Sequence, residues 1–173
     1  MVSQGIYTLA NDVVYDQLIA LLNSIEIHVS SSLPICIIPY DDRLDKVKSE
    51  IKNRPNLSLF DNQESINRWE DFAHKVWEAH PRNKESKASR PKWYKGHLHR
   101  KFVAFDGEFD TFVFYEADNL AMKSAEDVLT KLEEYDFVFD DWEHRKPTEN
   151  AALNLPIIAV SYTHLTLPTN SNV

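Results

Sequence analysis

Phe112-Val113-Phe114-Tyr115 runs directly into Glu116-Ala117-Asp118, two carboxylates one residue apart at the end of an apolar stretch. In extended chain, side chains at i and i+2 project to the same side. Paired hard oxygen ligands suit Mg²⁺ or Mn²⁺, which keep waters and take further ligands from substrate phosphates. A departing diphosphate needs such a cation to offset its charge. Two more polar clusters follow apolar runs: Asn11-Asp12 after residues 5–10, and Asp41-Asp42 after residues 33–39. Asp140-Asp141 closes a further run and offers a catalytic carboxylate or an acceptor contact. Arg100-Lys101 supplies adjacent cations. Each signal has a plainer reading: helix caps and turns for Thr8, Asn11 and Asp118, a charged helix face for Arg100 and Lys101, a solvated strand end for Asp140 and Asp141.

Other chemistries are disfavoured. His97 and His99 form an HxH pair, but on a helix positions i and i+2 do not face one another, so a metal pair is not expected. Cys36 is the sole cysteine, which excludes an intrachain disulfide and a Cys-rich zinc site; inside an apolar strand it reads as an inert buried thiol. Gly5, Gly96 and Gly107 lie far apart, which excludes the clustered glycines of GxGxxG and Walker loops.

The elements that must position these residues alternate. Residues 5–10 read as a strand. Val14, Leu18, Leu21, Leu22 and Ile25 make a helical stripe. Residues 33–39 form a continuous apolar run, as in a strand covered on both faces. Residues 43–53 read as a short polar helix and 57–60 as a weak strand. Asp61 with Glu64 forms an expected capping box, followed by an apolar face of Ile66, Trp69, Ala73 and Val76. Trp69, Phe72 and Trp77 read as core. Residues 93–105 read as helix, 110–115 as strand, and 136–142 as a final strand. Between the last two, Ser124 with Asp127 starts a helix with Ala125, Val128, Leu129 and Leu132 inward. This β/α alternation predicts an open, mainly parallel α/β sheet flanked by helices, with ligands beyond the carboxyl ends of its strands.

Composition sets the class. The 173 residues carry 19 Lys and Arg against 27 Asp and Glu, a net charge of −8, which argues against duplex nucleic acid and anionic membrane as partners. Apolar residues at 43% suffice for a core. No apolar run reaches the ~18 residues of a membrane span, and the N-terminus lacks the basic and apolar regions of a signal peptide. A cytoplasmic location is the expectation. Residues 81–92 hold five basic residues and one acid and read as a mobile surface loop.

Three segments carry a family resemblance. Glu116-Ala117-Asp118-Asn119-Leu120-Ala121-Met122 after its strand resembles the Asp-Ala-Asp-x-Leu-x-Met form of the DxD motif of GT-A-type glycosyltransferases, the nucleotide-diphospho-sugar transferases of the glycogenin-like group. Ile6-Tyr7-Thr8-Leu9-Ala10-Asn11-Asp12 and the helix reaching Leu22-Asn23-Ser24-Ile25 resemble their first β-α unit. His99-Arg100-Lys101-Phe102, ahead of Phe105-Asp106-Gly107, resembles the basic helix before the DxD strand. The likeness spans about residues 5 to 142. It implies that Thr8, Leu9 and Asn11 hold base and ribose, Asp41 contacts the base, and Arg100 and Lys101 lie near sugar and diphosphate. Glu116 would serve ribose or metal, and Asp118 would ligate Mn²⁺ or Mg²⁺. The implied function is transfer of a sugar from a nucleoside-diphosphate donor to an acceptor. Glu116 departs from the motif by one added methylene.

Val160 to Asn170 resembles translated sequencing-adaptor read-through, so residues 160–173 are expected to be non-native, with the natural frame interrupted near Ile157 or Ile158. That assigns residues 1–159 to a truncated GT-A-like domain and removes His164 from consideration. The rivals are a nucleotidyltransferase of related fold, disfavoured by a first loop without glycine, and a non-catalytic α/β binding module.

Overall fold

The computed structural model describes residues 3–81, 97–136 and 138. The chain falls into two compact units, Met1–Ser124 and Ala125–Val173. Within the first, strands β1 (Gln4–Ala10), β2 (Ile35–Pro39), β3 (Leu57–Leu59) and β4 (Thr111–Glu116) form one all-parallel sheet in the order β3-β2-β1-β4. Helices α1 (Tyr15–His28), α2 (Asp45–Asn53) and α3 (Gln63–Ala79) connect them, with a short 3-10 turn Asp12–Val14 before α1 and a ten-residue 3-10 helix, His97–Asp106, before β4. The expected α/β class is the observed one.

The apolar runs are continuous because both faces of the sheet are covered. Ile6, Ala10, Ile35 and Ile37 point to one side and pack with Leu18, Leu21, Leu22 and Ile25 of α1 and Val47 of α2. Tyr7, Leu9, Cys36 and Ile38 point to the other and pack with Phe60, Ile66, Val103 and Ala104. Period-two alternation thus sorts one strand into two cores. Cys36 is buried, and that burial pushes its thiol up to about 11, the inert thiol expected.

Helix ends and aromatics depart from expectation. The α3 cap is Asn62, whose side chain accepts from the Ser65 amide at 3.1 Å; the Asp61–Glu64 box is one residue out of register. Residues 97–106 form a 3-10 helix, tighter than an α-helix and longer than such helices usually run. Phe72 is 44% exposed and not core, whereas Trp69 is half-buried against the second core cluster. Trp77 is half-buried and stacks on His80. In the second unit, helix α4 (Glu126–Lys131) begins after Ala125 at its N-cap, with Ala125 buried and Val128, Leu129 and Leu132 half-buried. Residue 138 is not in a strand, and the rest of the expected 136–142 strand beyond Asp136 lies outside the described residues, as do residues 82–92 and the 160–173 tail. Among the described residues, no helix is long and apolar enough to cross a membrane.

Gly107 is a packing requirement. A Cβ there would lie 1.8 Å from the Tyr7 Oη. The Tyr7 ring cannot swing aside, because Phe109 and Phe112 hold it at centroid distances of 5.0 and 5.1 Å. Gly107→Ala should therefore destabilise the protein by about 1–3 kcal/mol, the usual cost of overpacking, read as a lower urea midpoint with unchanged slope.

Candidate functional site

The chain steps from β1 to β2 to β3 in one direction, then returns to the opposite side of β1 for β4. Strand order thus reverses between β1 and β4, and in open α/β sheets the crevice beyond the carboxyl ends at such a point is where ligands bind. The register pairs Leu9 with Glu116, so the first acid of the Glu116-Ala117-Asp118 triplet stands at that crevice.

Beyond Glu116 the chain makes a turn closed by the Asn119 amide on the Glu116 carbonyl at 3.0 Å. Ala117 and Ala121 are buried in the first core cluster, and the Ser24 hydroxyl of α1 accepts from the Ala121 amide at 2.9 Å. Two buried alanines therefore hold the turn down while Asp118 stands exposed between them. Leu120 and Met122 are exposed as well.

The 3-10 helix His97–Asp106 reaches both strands that flank β1. Lys101 Nζ donates to Glu116 Oε1 at 2.7 Å, at the end of β4. Arg100 Nη1 donates to the Pro39 carbonyl at 2.9 Å, the last residue of β2, while its Nε reaches Glu70 of α3 at 2.7 Å. His97 faces Tyr40 and Glu70, and His99 faces Phe72 and Phe102, so the HxH residues do diverge.

Asn11 and Asp41 are occupied by one another. The Asn11 Oδ1 caps the 3-10 turn by accepting from the Val13 amide, and its Nδ2 donates to Asp41 Oδ2 at 3.0 Å. Asp41 also accepts from the Arg43 amide, Nε and Nη2, at 3.0, 3.0 and 2.5 Å. Arg43 first, then its own backbone amide and Asn11, hold the Asp41 carboxyl down at about 2 against the burial that raises it. Because the folded value lies below the unfolded ~3.9, this stabilisation is complete above pH ~4 and disappears as pH falls through about 2. Arg43 is largely exposed, so Asp41→Asn should cost only about 1 kcal/mol. Thermal melts from pH 7 to pH 2 should show the gap between wild type and variant close only at the acid end.

Asp12 is a cap in a place the sequence hides. Its carboxylate accepts from the Lys46 and Val47 amides at 3.2 and 3.1 Å, at the start of α2. Burial pushes Asp12 up, but the amides of Val47, Lys46 and Asp45 outweigh it and hold the carboxyl below its usual value. Helix N-termini are the ordinary phosphate sites of α/β folds. Here the turn before α1 carries Asn11 and α2 carries Asp12, so both ends next to the crevice already have their acceptor. A phosphate group must find its cation in side chains or in a metal.

The sequence candidates divide accordingly. Asn11, Asp41, Arg100, Lys101, Glu116 and Asp118 gather at the carboxyl ends of β1, β2 and β4. Thr8 is fully buried, with its hydroxyl unpartnered among the described residues, and the Leu9 side chain is buried on the opposite face. Neither side chain lines the crevice; only their backbone comes near it. Asp140 and Asp141 lie outside the described residues. Glu70 and the Pro39 carbonyl were not singled out from sequence. Asp12 sits in a visible cap pair, but nothing in a polar helix face distinguishes Glu70.

The donor set sets terms for a cation. Among the described residues no three His, Cys, Asp or Glu side chains gather to hold a metal ion. Asp118 and Glu116 supply two hard oxygens, and Mg²⁺ or Mn²⁺ commonly binds one or two carboxylates plus substrate phosphates. The pair fits a cation that arrives with its phosphate ligands. It does not build a resident metal site.

The fold defines an α/β protein with a parallel sheet flanked by helices, in which Lys101 and Glu116 meet beside the strand-order switch point and Asp118 follows on the next turn. No family model matches the chain, and no curated protein or solved structure matches it either.

Proposed function

We propose that this crevice binds the diphosphate of a nucleoside-diphosphate sugar, and that the chain belongs to a glycosyltransferase of the GT-A type. The observation supporting this most is the contact of Lys101 with Glu116 at the β1/β4 switch point, with Asp118 exposed on the turn two residues further on. Asp118, with Glu116, would hold Mn²⁺ or Mg²⁺, which supplies charge neutralisation at the departing diphosphate. Lys101 provides a protein cation for the same oxygens. The Lys101–Glu116 pair is half-exposed, and such pairs contribute little, so it opens for an incoming phosphate at small cost. The backbone at Leu9 and Ala10 forms the floor, and the fixed Asn11–Asp41 pair forms a wall toward β2. The sugar is passed to an acceptor of unassigned chemistry.

A nucleotidyltransferase would need a glycine-rich first loop or a free helix N-terminus for its triphosphate, and Tyr7-Thr8-Leu9-Ala10-Asn11 offers neither. Titration of UDP and GDP against the full chain, with and without Mn²⁺, is the direct test, followed by tryptophan fluorescence. Metal-dependent saturation by a nucleoside diphosphate supports the reading. Tighter binding of a triphosphate would favour the nucleotidyltransferase, and no binding of either would leave a non-catalytic module.

A further inference from the structure

We propose that Arg100 is a positioning residue for the diphosphate subsite and not one of its ligands, an inference that rests on the nucleotide reading above. Its guanidinium is engaged before any ligand arrives. Nε and Nη2 reach the same Glu70 oxygen at 2.7 and 2.5 Å, and Nη1 donates to the Pro39 carbonyl at 2.9 Å. The Arg100 side chain is 11% exposed, against 35% for Lys101 beside it. Withdrawing Arg100 toward a phosphate would strand the Glu70 carboxylate in a partly desolvated place, which is costly. Lys101 gives up only a half-exposed pair.

The arrangement turns this anchor into an orienting device. In a 3-10 helix consecutive residues point about 120° apart and residues three apart share a line. His97, Arg100 and Val103 form one line. His97 Nδ1 lies 3.5 Å from the Glu70 oxygen that Arg100 holds, and Val103 is fully buried. With that line fixed against α3 and β2, the next residue is turned toward β4, where Lys101 meets Glu116. One guanidinium thus sets the roll of the helix, and the roll sets where the Lys101 ammonium stands.

The test uses the full chain and two readouts. Hydrogen exchange of the 97–106 amides reports the hold on the helix. Titration of UDP with Mn²⁺ reports the subsite. Arg100→Ala and Glu70→Gln should each speed exchange across 97–106 about tenfold or more while β1 amides stay unchanged, and each should weaken UDP about tenfold. Arg100→Lys, a milder change should Arg100→Ala fail to fold, should recover part of both. Once Lys101 is Ala, adding Arg100→Ala should weaken UDP no further, because residues acting through one another are not additive. Tighter UDP binding in Glu70→Gln would overturn the proposal, since a freed guanidinium would then be joining the phosphates. So would additive losses or unchanged exchange. If wild type binds neither UDP nor GDP, the nucleotide reading fails, while exchange still decides whether Arg100 holds the helix.

Discussion

Asp118→Asn should remove most of the Mn²⁺-dependent gain in UDP affinity, roughly a hundredfold, with almost no change in melting temperature. The two halves of this expectation have separate causes. Asp118 is exposed on a turn that Ala117, Ala121 and Ser24 hold in place without it, so its substitution falls among surface changes worth within about 0.5 kcal/mol. Its carboxylate, however, is one of two hard oxygens able to meet a cation at the β1/β4 crevice, and asparagine offers a neutral carbonyl in its place. Glu116→Gln should cost less, because Glu116 also neutralises Lys101. The glutamine variant loses a metal oxygen but frees the ammonium, so metal-free UDP binding should tighten while the Mn²⁺ gain shrinks. Lys101→Ala should show the reverse, weaker UDP without metal and a preserved Mn²⁺ gain. Isothermal titration of these variants, with and without the metal, separates the contributions. An Asp118→Asn protein whose UDP affinity still rises with Mn²⁺ as in wild type would sink the metal assignment.

The fold was legible because hydrophobic burial is periodic and the chain wrote it twice. The run at 33–39 is apolar at every position and that at 5–10 is broken only by Thr8, the pattern of a strand covered on both faces, and the α1 stripe from Leu18 to Ile25 recurs at helical spacing. The acids at strand ends were legible for the same reason, since a buried strand must end in something polar. What sequence could not give was pairing. Asn11 and Asp41 are thirty residues apart, and nothing in either segment says they would consume one another's hydrogen bonds. Asp12 looks like a cap for its own helix and instead caps α2, more than thirty residues on. Arg100 and Lys101 look alike on paper, yet one is locked and the other can move. Their difference lies in Glu70 and the Pro39 carbonyl, which come near only once α3 and β2 have packed. The exposure of Phe72 has a similar origin. Helical spacing places it beside Trp69, and tertiary packing leaves it outside, its ring meeting Trp69 edge-on.

Asp106→Ala should be the most destabilising polar substitution, costing about 3 kcal/mol and, at 2–4 °C per kcal/mol, roughly 10 °C of melting temperature. One carboxylate oxygen accepts from Ser65 Oγ at 2.5 Å and Trp69 Nε1 at 2.8 Å, and Arg68 pairs with it. All three donors lie on α3, so Asp106 latches the end of the 3-10 helix to that helix. Alanine would leave the buried Ser65 hydroxyl and the indole N–H without this acceptor, the expensive way to lose a hydrogen bond. Asp106→Asn keeps an oxygen and should cost about half as much. Burial pushes the Asp106 carboxyl up, yet the bonds from Ser65, Arg68 and Trp69 outweigh it and hold it below the ordinary carboxylate range. Its contribution is therefore present above the unfolded value near 3.9 and fades as pH falls through the lower folded value, so wild type and Asp106→Asn should converge in acid. The latch also bears on the crevice. Asp106 stands five residues from Lys101, about 10 Å along a 3-10 helix, and Arg100 holds the other end of the same rod. Loosening Asp106 should therefore weaken UDP at temperatures well below the melt, although the residue never approaches the phosphates. If Asp106→Ala lowers the melting point and leaves UDP affinity intact, Arg100 alone orients Lys101 and the rod is not rigid between them.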